Sequence, residues 1–499
     1  MTPKSGCGTS SSPNRRRISG ENLRLATNAT QHPHHAPTCP IRRDSTLTAF
    51  SSTGFAQHRS WNVDSVPGSA AYLEHTADID GVLGSLEGQG ETARAQVDRL
   101  LDGHSAAELR RLVPLSYRRQ VGAFFTPSNL RAKVADVLRA TPAESYLDPT
   151  CGAGDLLLAA TEAMPIGSTV SETLADWEGK LHGWDLHEEF TQTARRRILL
   201  AAMKRHHELS GQFDGSVNLL KHLSNIRQAD AQTQELKQVD SVVLNPPFTR
   251  APANRDRKWA QGKTSSAAIF FLDSLRHVKK GGHIVAILPD SLRSGSNFTK
   301  WRATVECQSD VTHVERLGVF DDHTDIDVFL LVAQVRATGP SRYTVPWWSK
   351  ASEGRLVGDL FEVRVGTVVD NRDPHEGESR PFLIARDLPA TGRAGIPSRQ
   401  RFFSGRLFEP PFVAIRRTSR PTEGTSARAA GVLITGDQAV AVDNHLLVAK
   451  PMKGGVKACN ALVKLLASPS TNEMLDDRIS CRHLTVSAIK QIPWDERSS

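Results

Sequence analysis

The chain has 499 residues, 39% of them hydrophobic, with a formal net charge of +8 and a pI near 9.2. That length suits two or more domains with real cores, and the basic excess suits a polyanionic partner. No stretch reaches the ~18 consecutive apolar residues of a spanning helix and the N-terminus lacks a signal-type apolar core, so neither membrane insertion nor secretion is expected.

The six cysteines, at positions 7, 39, 151, 307, 459 and 481, show no Cys-x-x-Cys pairing and no zinc-type histidine spacing. This points away from a metal centre or disulfide framework and towards a reduced, cytoplasmic protein. Residues 1–80 are rich in Ser, Thr, Pro, His and Arg, including Arg15–Arg17 and Arg42–Arg43, and are expected to be disordered. His32, His34 and His35 beside Cys39 are read there as a solvated cluster. Residues 81–121 are expected to form a short helical region, with Val97, Leu100, Leu101, Leu109 and Leu112 as its apolar positions.

The segment Gly122-Ala-Phe124-Phe125-Thr126-Pro127 opens a predicted helix from Ser128 to Ala140, with Thr126 as its cap. Next, Tyr146-Leu-Asp148-Pro-Thr-Cys151-Gly152-Ala-Gly154-Asp155 runs into the apolar stretch Leu156–Ala160, a pattern of strand, tight loop and helix. Glycines at 152 and 154 allow a cofactor close approach to the backbone. The carboxylates of Asp148 and Asp155 suit a ligand with an ammonium group, whereas a dinucleotide loop would carry Gly-x-Gly-x-x-Gly without acids. Asp185, in Gly183-Trp-Asp185-Leu, ends the next predicted strand, where a carboxylate would hold a ribose diol. Asp230, in Arg227-Gln-Ala-Asp230, is placed near an adenine amine.

The run Ser241–Leu244 leads into Asn245-Pro246-Pro247-Phe248 at a strand end. An aromatic amine delocalises its lone pair into the ring, so methylating it requires acceptors that favour a tetrahedral nitrogen. The Asn245 side-chain oxygen and the Pro246 carbonyl can each accept one N–H, and the consecutive prolines hold them rigid. Phe248 offers a face on which a base can stack.

These motifs, in this order, resemble the N6-adenine DNA methyltransferases, particularly the modification subunits of type I restriction systems and related single-chain enzymes. The resemblance covers residues 105–335, continuing through a helical stretch at Ala267–Leu275, a strand at Gly281–Pro289 and a loop at Asp290–Arg293. It implies an α/β fold: a Rossmann-like, mostly parallel methyltransferase domain over residues 122–338, with S-adenosylmethionine as methyl donor. Asp148, Cys151, Gly152 and Gly154 would then line the methionine end, Asp185 the ribose and Asp230 the adenine edge. Phe125, Thr126 and Pro127 would close that pocket, while Asn245, Pro246, Pro247 and Phe248 would take the target base.

The remaining residues, 339–499, resemble a target-recognition domain of type I specificity subunits, again α/β. The strand pair Val363–Asp370 and Arg380–Leu388, an apolar strand at Ala439–Ala449, a helix starting at Ala461 and the closing segment Arg478–Pro493 carry this likeness. Arg399, Arg401, Arg406, Arg416, Arg417 and Arg420, interleaved with Phe402, Phe403 and Phe412, favour contact with nucleic acid. The expectation is a bacterial, cytoplasmic enzyme that methylates N6 of adenine in double-stranded DNA, working beside a restriction nuclease or other defence subunit. The alternatives are a DNA-binding subunit that needs a partner chain, and an RNA adenine methyltransferase; N4 of cytosine presents a similar amine.

Overall fold

The computed structural model describes residues 71–85, 91–210, 217–235, 238–253, 257–321, 323–337, 344–348, 354–418, 428–478 and 484–494. The N-terminal tail through residue 70, its histidine cluster and Arg420 lie outside the described residues. The tail was expected to reach residue 80, but Leu73–Ser85 is a helix and Tyr72 beside it is fully buried. The spacing of Tyr72, Thr76, Ile79 and Leu83 on one helical face explains this; the polar residues between them masked the period.

Helices Glu91–Leu101 and His104–Leu112 follow, as the apolar spacing predicts, and helix Ser128–Ala140 has the expected bounds. Its cap is not Thr126. Pro127 stands at that position, with extended backbone and no side-chain cap bond.

The strands are β1 (Tyr146–Asp148), β2 (Leu181–Asp185), β3 (Ile226–Gln228), β4 (Val239–Leu244), β5 (Arg250–Pro252), β6 (Lys263–Ser265), β7 (Val278–Pro289), β8 (Ser309–Asp321) and β9 (Thr324–Val335). Seven of them form one sheet in the order β3-β2-β1-β4-β7-β9-β8, parallel from β3 through β7. The β9 strand runs antiparallel between β7 and β8. Alternate residues of the central strands feed separate cores, Tyr146 and Val243 on one face, Leu147, Val242 and Leu244 on the other. Burial on both faces accounts for the nearly continuous apolar runs of β4 and β7. The chain steps from β1 outwards to β2 and β3, then returns across β1 to β4, which puts a topological switch point between β1 and β4.

The expected loop at Asp290–Arg293 contains a one-turn helix, Ser291–Ser294, and Arg293 is buried against Asp290 and the Trp347 carbonyl. Trp347, beyond the boundary placed at 338, packs against Trp301 and Phe329 of this first core. Its indole N–H donates to Glu306 at 2.6 Å, so the tryptophan belongs to the domain before it. Cys307 is disulfide-bonded, contrary to the expectation of unpaired cysteines, whereas Cys151 and Cys459 are free. Among the described residues, no helix is long and apolar enough to cross a membrane.

The C-terminal strands are β10 (Phe361–Val365), β11 (Glu378–Leu383), β12 (Gly392–Ala394), β13 (Gln400–Phe403), β14 (Phe412–Arg416), β15 (Gly431–Ile434), β16 (Ala441–Val442) and β17 (Leu446–Pro451). They build a five-stranded sheet, β10-β17-β14-β15-β12, and a three-stranded one, β13-β11-β16. The expected pairing of the Val363 and Arg380 segments does not form; β10 pairs with the distant β17, and β11 with β13 and β16. The single strand expected at Ala439–Ala449 is broken by a turn at Asp443–His445, because Leu446 N returns to Asp443 O. The helix expected from Ala461 begins earlier, at Gly455. The module closes on itself: Val357 N donates to Ile492 O at 2.8 Å and Trp494 N to Arg355 O at 2.7 Å.

The arginine and phenylalanine series is largely structural. Arg401 is buried and paired with Asp370, Arg416 donates to the Leu388, Pro389 and Ala390 carbonyls, and Arg417 donates to Asn444 O. Phe412 is fully buried, and Phe403, partly buried, packs against a separate cluster of Val368, Phe382 and Ala441. Only Arg399, Arg406 and Phe402 of the described members are exposed, and both arginines have carboxylate partners, Asp387 and Glu362.

Candidate active site

Asp148 ends β1 and Asn245 follows β4, so the switch point brings two motifs 97 residues apart to the same sheet edge. Between them lies a small cavity whose lining includes Phe125, Thr126, Asp148, Cys151, Gly152, Asp155 and Asn245. Seven of the residues proposed from the sequence therefore meet around one space.

The loop after β1 needs its glycines for different reasons. Gly152 has φ +50°, and a Cβ there would lie 2.9 Å from the Phe125 ring. Gly154 has φ +86° and opens the helix Asp155–Ala163, where a Cβ would press on Ala194 at 3.0 Å. Gly152 thus keeps the cavity open, and Gly154 lets two helices pack.

Asp148 is almost fully buried, and its Oδ1 accepts from Thr150 N at 2.9 Å. Among the described residues no lysine or arginine pairs with it. Burial pushes its carboxyl up to about 8, the Thr150 amide opposing that rise. A buried carboxylate without a cation is a site waiting for positive charge. Asp155, which the sequence reading gave the same task, is instead neutralised by the fully buried Arg197 at 2.9 Å.

Arg197 ties three segments together: Nε donates to Leu100 O at 3.1 Å, Nη1 to Ala153 O at 2.6 Å, and Nη2 to Asp155 Oδ1. Nothing in the sequence singled it out, since one arginine of the run Arg195–Arg197 looks like the next. The aromatic support beneath Phe125 was also missed. Its ring stands edge-on to Tyr72 (5.7 Å) and Phe190 (5.0 Å), so the start of the N-terminal helical region and the helix Glu188–Ser210 together brace the cavity wall.

Asn245 is half-buried, and its Nδ2 donates to Thr126 Oγ1 at 2.9 Å. The amide is thereby oriented with Oδ1 left as an acceptor. Thr126, removed from its expected capping task, does this orienting. Thr150 Oγ1 lies 3.5 Å from both Asp148 Oδ1 and Asn245 O and links the two motifs; its position inside the Asp-Pro-Thr-Cys-Gly run was the available signal.

Asp185 Oδ2 accepts from Gly152 N at 3.0 Å and Oδ1 from His187 N at 2.9 Å, so this carboxylate shapes the glycine loop from behind. Each oxygen retains a lone pair for a further donor. Asp230 forms a local turn with Gln232 N and does not line the cavity. Pro127, Pro246, Pro247 and Phe248 also lie outside its lining. A Cβ on Gly122 would sit 2.4 Å from Pro247 Cβ, which explains the glycine that begins the Phe-Thr-Pro segment. Phe248 packs edge-on to Phe320 at 5.7 Å, leaving its ring half-buried.

The sheet order with its reversed final pair, together with Asp148 and Asn245 facing one cavity, is the layout of the α/β fold of S-adenosylmethionine-dependent methyltransferases. The residues present fit that cofactor: a cradle that a Cβ on Gly152 would obstruct, and an uncompensated buried carboxylate for its positive charge. Residues 115–332 match the model of the N-6 DNA methylase family.

The modification methylase CviBIII of Paramecium bursaria Chlorella virus NC1A is 20% identical over 394 residues, 74% of this chain and 93% of that protein. The EcoKI type I methylase subunit of Escherichia coli (strain K12) is 24% identical over 179 residues, 34% of this chain and 32% of that subunit. The type II restriction enzyme and methyltransferase RM.BcgI of Heyndrickxia coagulans is 23% identical over 178 residues, 36% of this chain. The matched part of this chain thus spans only a quarter of RM.BcgI and a third of the type I subunit. Among solved structures, the type IIL restriction-modification enzyme MmeI, in complex with DNA, superposes with a TM-score of 0.50 at 11% identity, over 78% of this chain and 70% of its own.

Proposed function

We propose that this chain is a site-specific DNA methyltransferase acting on N6 of an adenine flipped out of double-stranded DNA in the bacterial cytoplasm, within a restriction-modification or phage-defence system. The observation that carries this reading is the junction of Asp148 and Asn245 across one cavity at the switch point. S-adenosylmethionine, when bound, supplies an electrophilic methyl group on a positively charged sulfur.

Asp148 would hold the positive end of that cofactor and Asp185 its ribose, while Asp230, outside the cavity lining, would meet the adenine edge where the cofactor extends beyond it. Gly152 and Cys151 shape the wall, with Phe125 and Thr126 closing it and Pro127 starting the helix behind them. Asn245 Oδ1 and the Pro246 carbonyl accept the two N–H groups of the target amine and favour its tetrahedral form. Pro247 stiffens that turn, and Phe248 stacks on the base; extrusion costs a few kcal/mol, which these contacts offset. No base need act before attack, because the nitrogen becomes acidic once it is quaternised.

Residues 354–494 are proposed as the target-recognition domain, with a restriction nuclease or another defence subunit as a further partner. The breadth of the likenesses to CviBIII and MmeI, both extending well past the family match at residue 332, supports this. The test is expression in a methylation-deficient bacterial host, followed by single-molecule sequencing of its genomic DNA. A recurrent N6-methyladenine motif is expected. An unmodified genome would overturn the single-chain reading in favour of the partner-dependent subunit or the RNA enzyme.

A pH effect follows from Asp148. In the free protein its carboxyl titrates near 8 because it is buried, and a cation beside it lowers that value. Binding therefore releases a proton below about pH 8, so affinity for S-adenosylmethionine is expected to rise by up to about tenfold per pH unit as that value is approached, then level off. Calorimetry in buffers of different ionisation enthalpy would count the proton. An Asp148→Asn variant with the same pH profile would show that another group is responsible.

A further inference from the structure

The C-terminal module contains a second, larger cleft, about 540 Å³, where the loop after β10, the turn after β11, the end of β14 and the β16–β17 turn converge. Its acids are already matched. Asp370 is paired with the buried Arg401, and Asp443 accepts from His445 Nδ1 at 2.7 Å and from His445 N at 2.6 Å. Arg386, also on the wall, is exposed and has no carboxylate partner among the described residues.

The turn at the bottom of the cleft is held unusually firmly. Asp443 N donates to Leu383 O (3.0 Å), Asn444 N to Val368 O (2.8 Å), and Arg417 Nη1 to Asn444 O (2.9 Å). The neighbouring strand passes so close that a Cβ on Gly366 would overlap Asp443 O, at 2.0 Å. All this bonding fixes the backbone and leaves the Asn444 amide unspent: its Oδ1 is buried with no hydrogen-bond partner, and its Nδ2 has none among the described residues. Buried amide groups are ordinarily satisfied, so an unspent one on a rigid turn in an open cleft calls for a ligand with matching donors and acceptors.

We infer that this cleft reads base edges of the DNA target, with Asn444 and Arg386 as the specificity-determining side chains. Once rotation about the Cβ–Cγ bond of Asn444 brings its buried, unpartnered Oδ1 to the cleft, the planar amide pairs in two places with adenine, at N6 and N7, and the Arg386 guanidinium does so with guanine, at O6 and N7. His445, 72% exposed and anchored through Nδ1, presents Nε2 alongside as a further contact. The arginines conspicuous in the sequence, by contrast, are consumed in holding strands and turns together. The inference rests on the DNA methyltransferase reading and adds where sequence is read.

The experiment compares wild type, Asn444→Ala and Arg386→Ala in the methylation-deficient host by single-molecule sequencing, with thermal melting and S-adenosylmethionine binding measured on each purified protein. Expected are wild-type melting and cofactor binding, a fall on the order of 10- to 100-fold in kcat/KM on the wild-type motif, and relaxation of that motif at one adenine for Asn444→Ala and one guanine for Arg386→Ala. Should Asn444→Ala melt early, Asn444→Asp, which keeps the shape of the side chain and removes its donor, takes its place. Both variants methylating the unchanged motif at the wild-type rate would overturn the inference. A wild-type chain that leaves the genome unmethylated would instead count against the underlying enzyme reading.

Discussion

Replacing Asn245 with alanine is expected to lower kcat for methyl transfer by about 10²- to 10³-fold, the range seen when one preorganised polar contact to a transition state is removed. S-adenosylmethionine affinity should change little, because the substitution removes an acceptor for the target amine and leaves Asp148 and Gly152 in place. The arrangement makes this loss specific: Thr126 Oγ1 takes the Asn245 Nδ2 hydrogen, so the side chain has one orientation and one oxygen to offer. Transfer of labelled methyl groups to DNA, with cofactor binding followed by calorimetry, separates the two effects. Asn245→Asp, which retains acceptors, should keep more activity than alanine. Near-wild-type turnover in the alanine variant would remove Asn245 from the chemistry.

Arg197→Met is expected to destabilise the protein by about 3–5 kcal/mol, because it strips a buried carboxylate, Asp155, of its only salt-bridge partner among the described residues. The same change unties the Ala153 carbonyl from the helix Glu91–Leu101, so the glycine loop loses its anchor. Chemical denaturation measures the first effect and cofactor binding the second. Adding Asp155→Asn should restore part of the stability, since a neutral amide tolerates burial better than a lone charge, while cofactor affinity stays reduced. Loss of stability without any loss of affinity would confine Arg197 to holding the fold.

The two predictions differ in how far the sequence announced them. Asn245 sits in a four-residue motif whose chemistry is local: rigid prolines, an amide and an aromatic ring are adjacent in the chain, so their joint meaning is visible there. Asp148, Gly152 and Gly154 were legible for a similar reason, because a strand-loop-helix turn with positive φ needs glycine wherever it occurs. The β-strand ends at Asp185 and Leu244 and the helix Ser128–Ala140 were also legible locally, from the interval after the glycine loop, the apolar run before Asn245 and the Thr-Pro that opens the helix.

Pairings between distant segments were not legible. Arg197 faces Asp155 across 42 residues, and Thr126 reaches Asn245 across 119, giving up the cap it was assigned. Tyr72 was assigned to a disordered tail because its neighbours are polar, yet it is fully buried, next to Phe125 and Phe190. In the C-terminal module the error ran the other way. Clustered arginines suggested a nucleic-acid surface, but Arg401, Arg416 and Arg417 turn inward to satisfy a carboxylate and backbone carbonyls.

By itself, then, the sequence determined the class of chemistry and the strands and helices that carry it, since motifs and hydrophobic periods act over a few residues. Only the tertiary structure decided which charges are spent and which remain available. Whether an arginine or an aspartate is free depends on what the fold packs against it, and a buried ion pair and a solvated charge have the same letter in the chain.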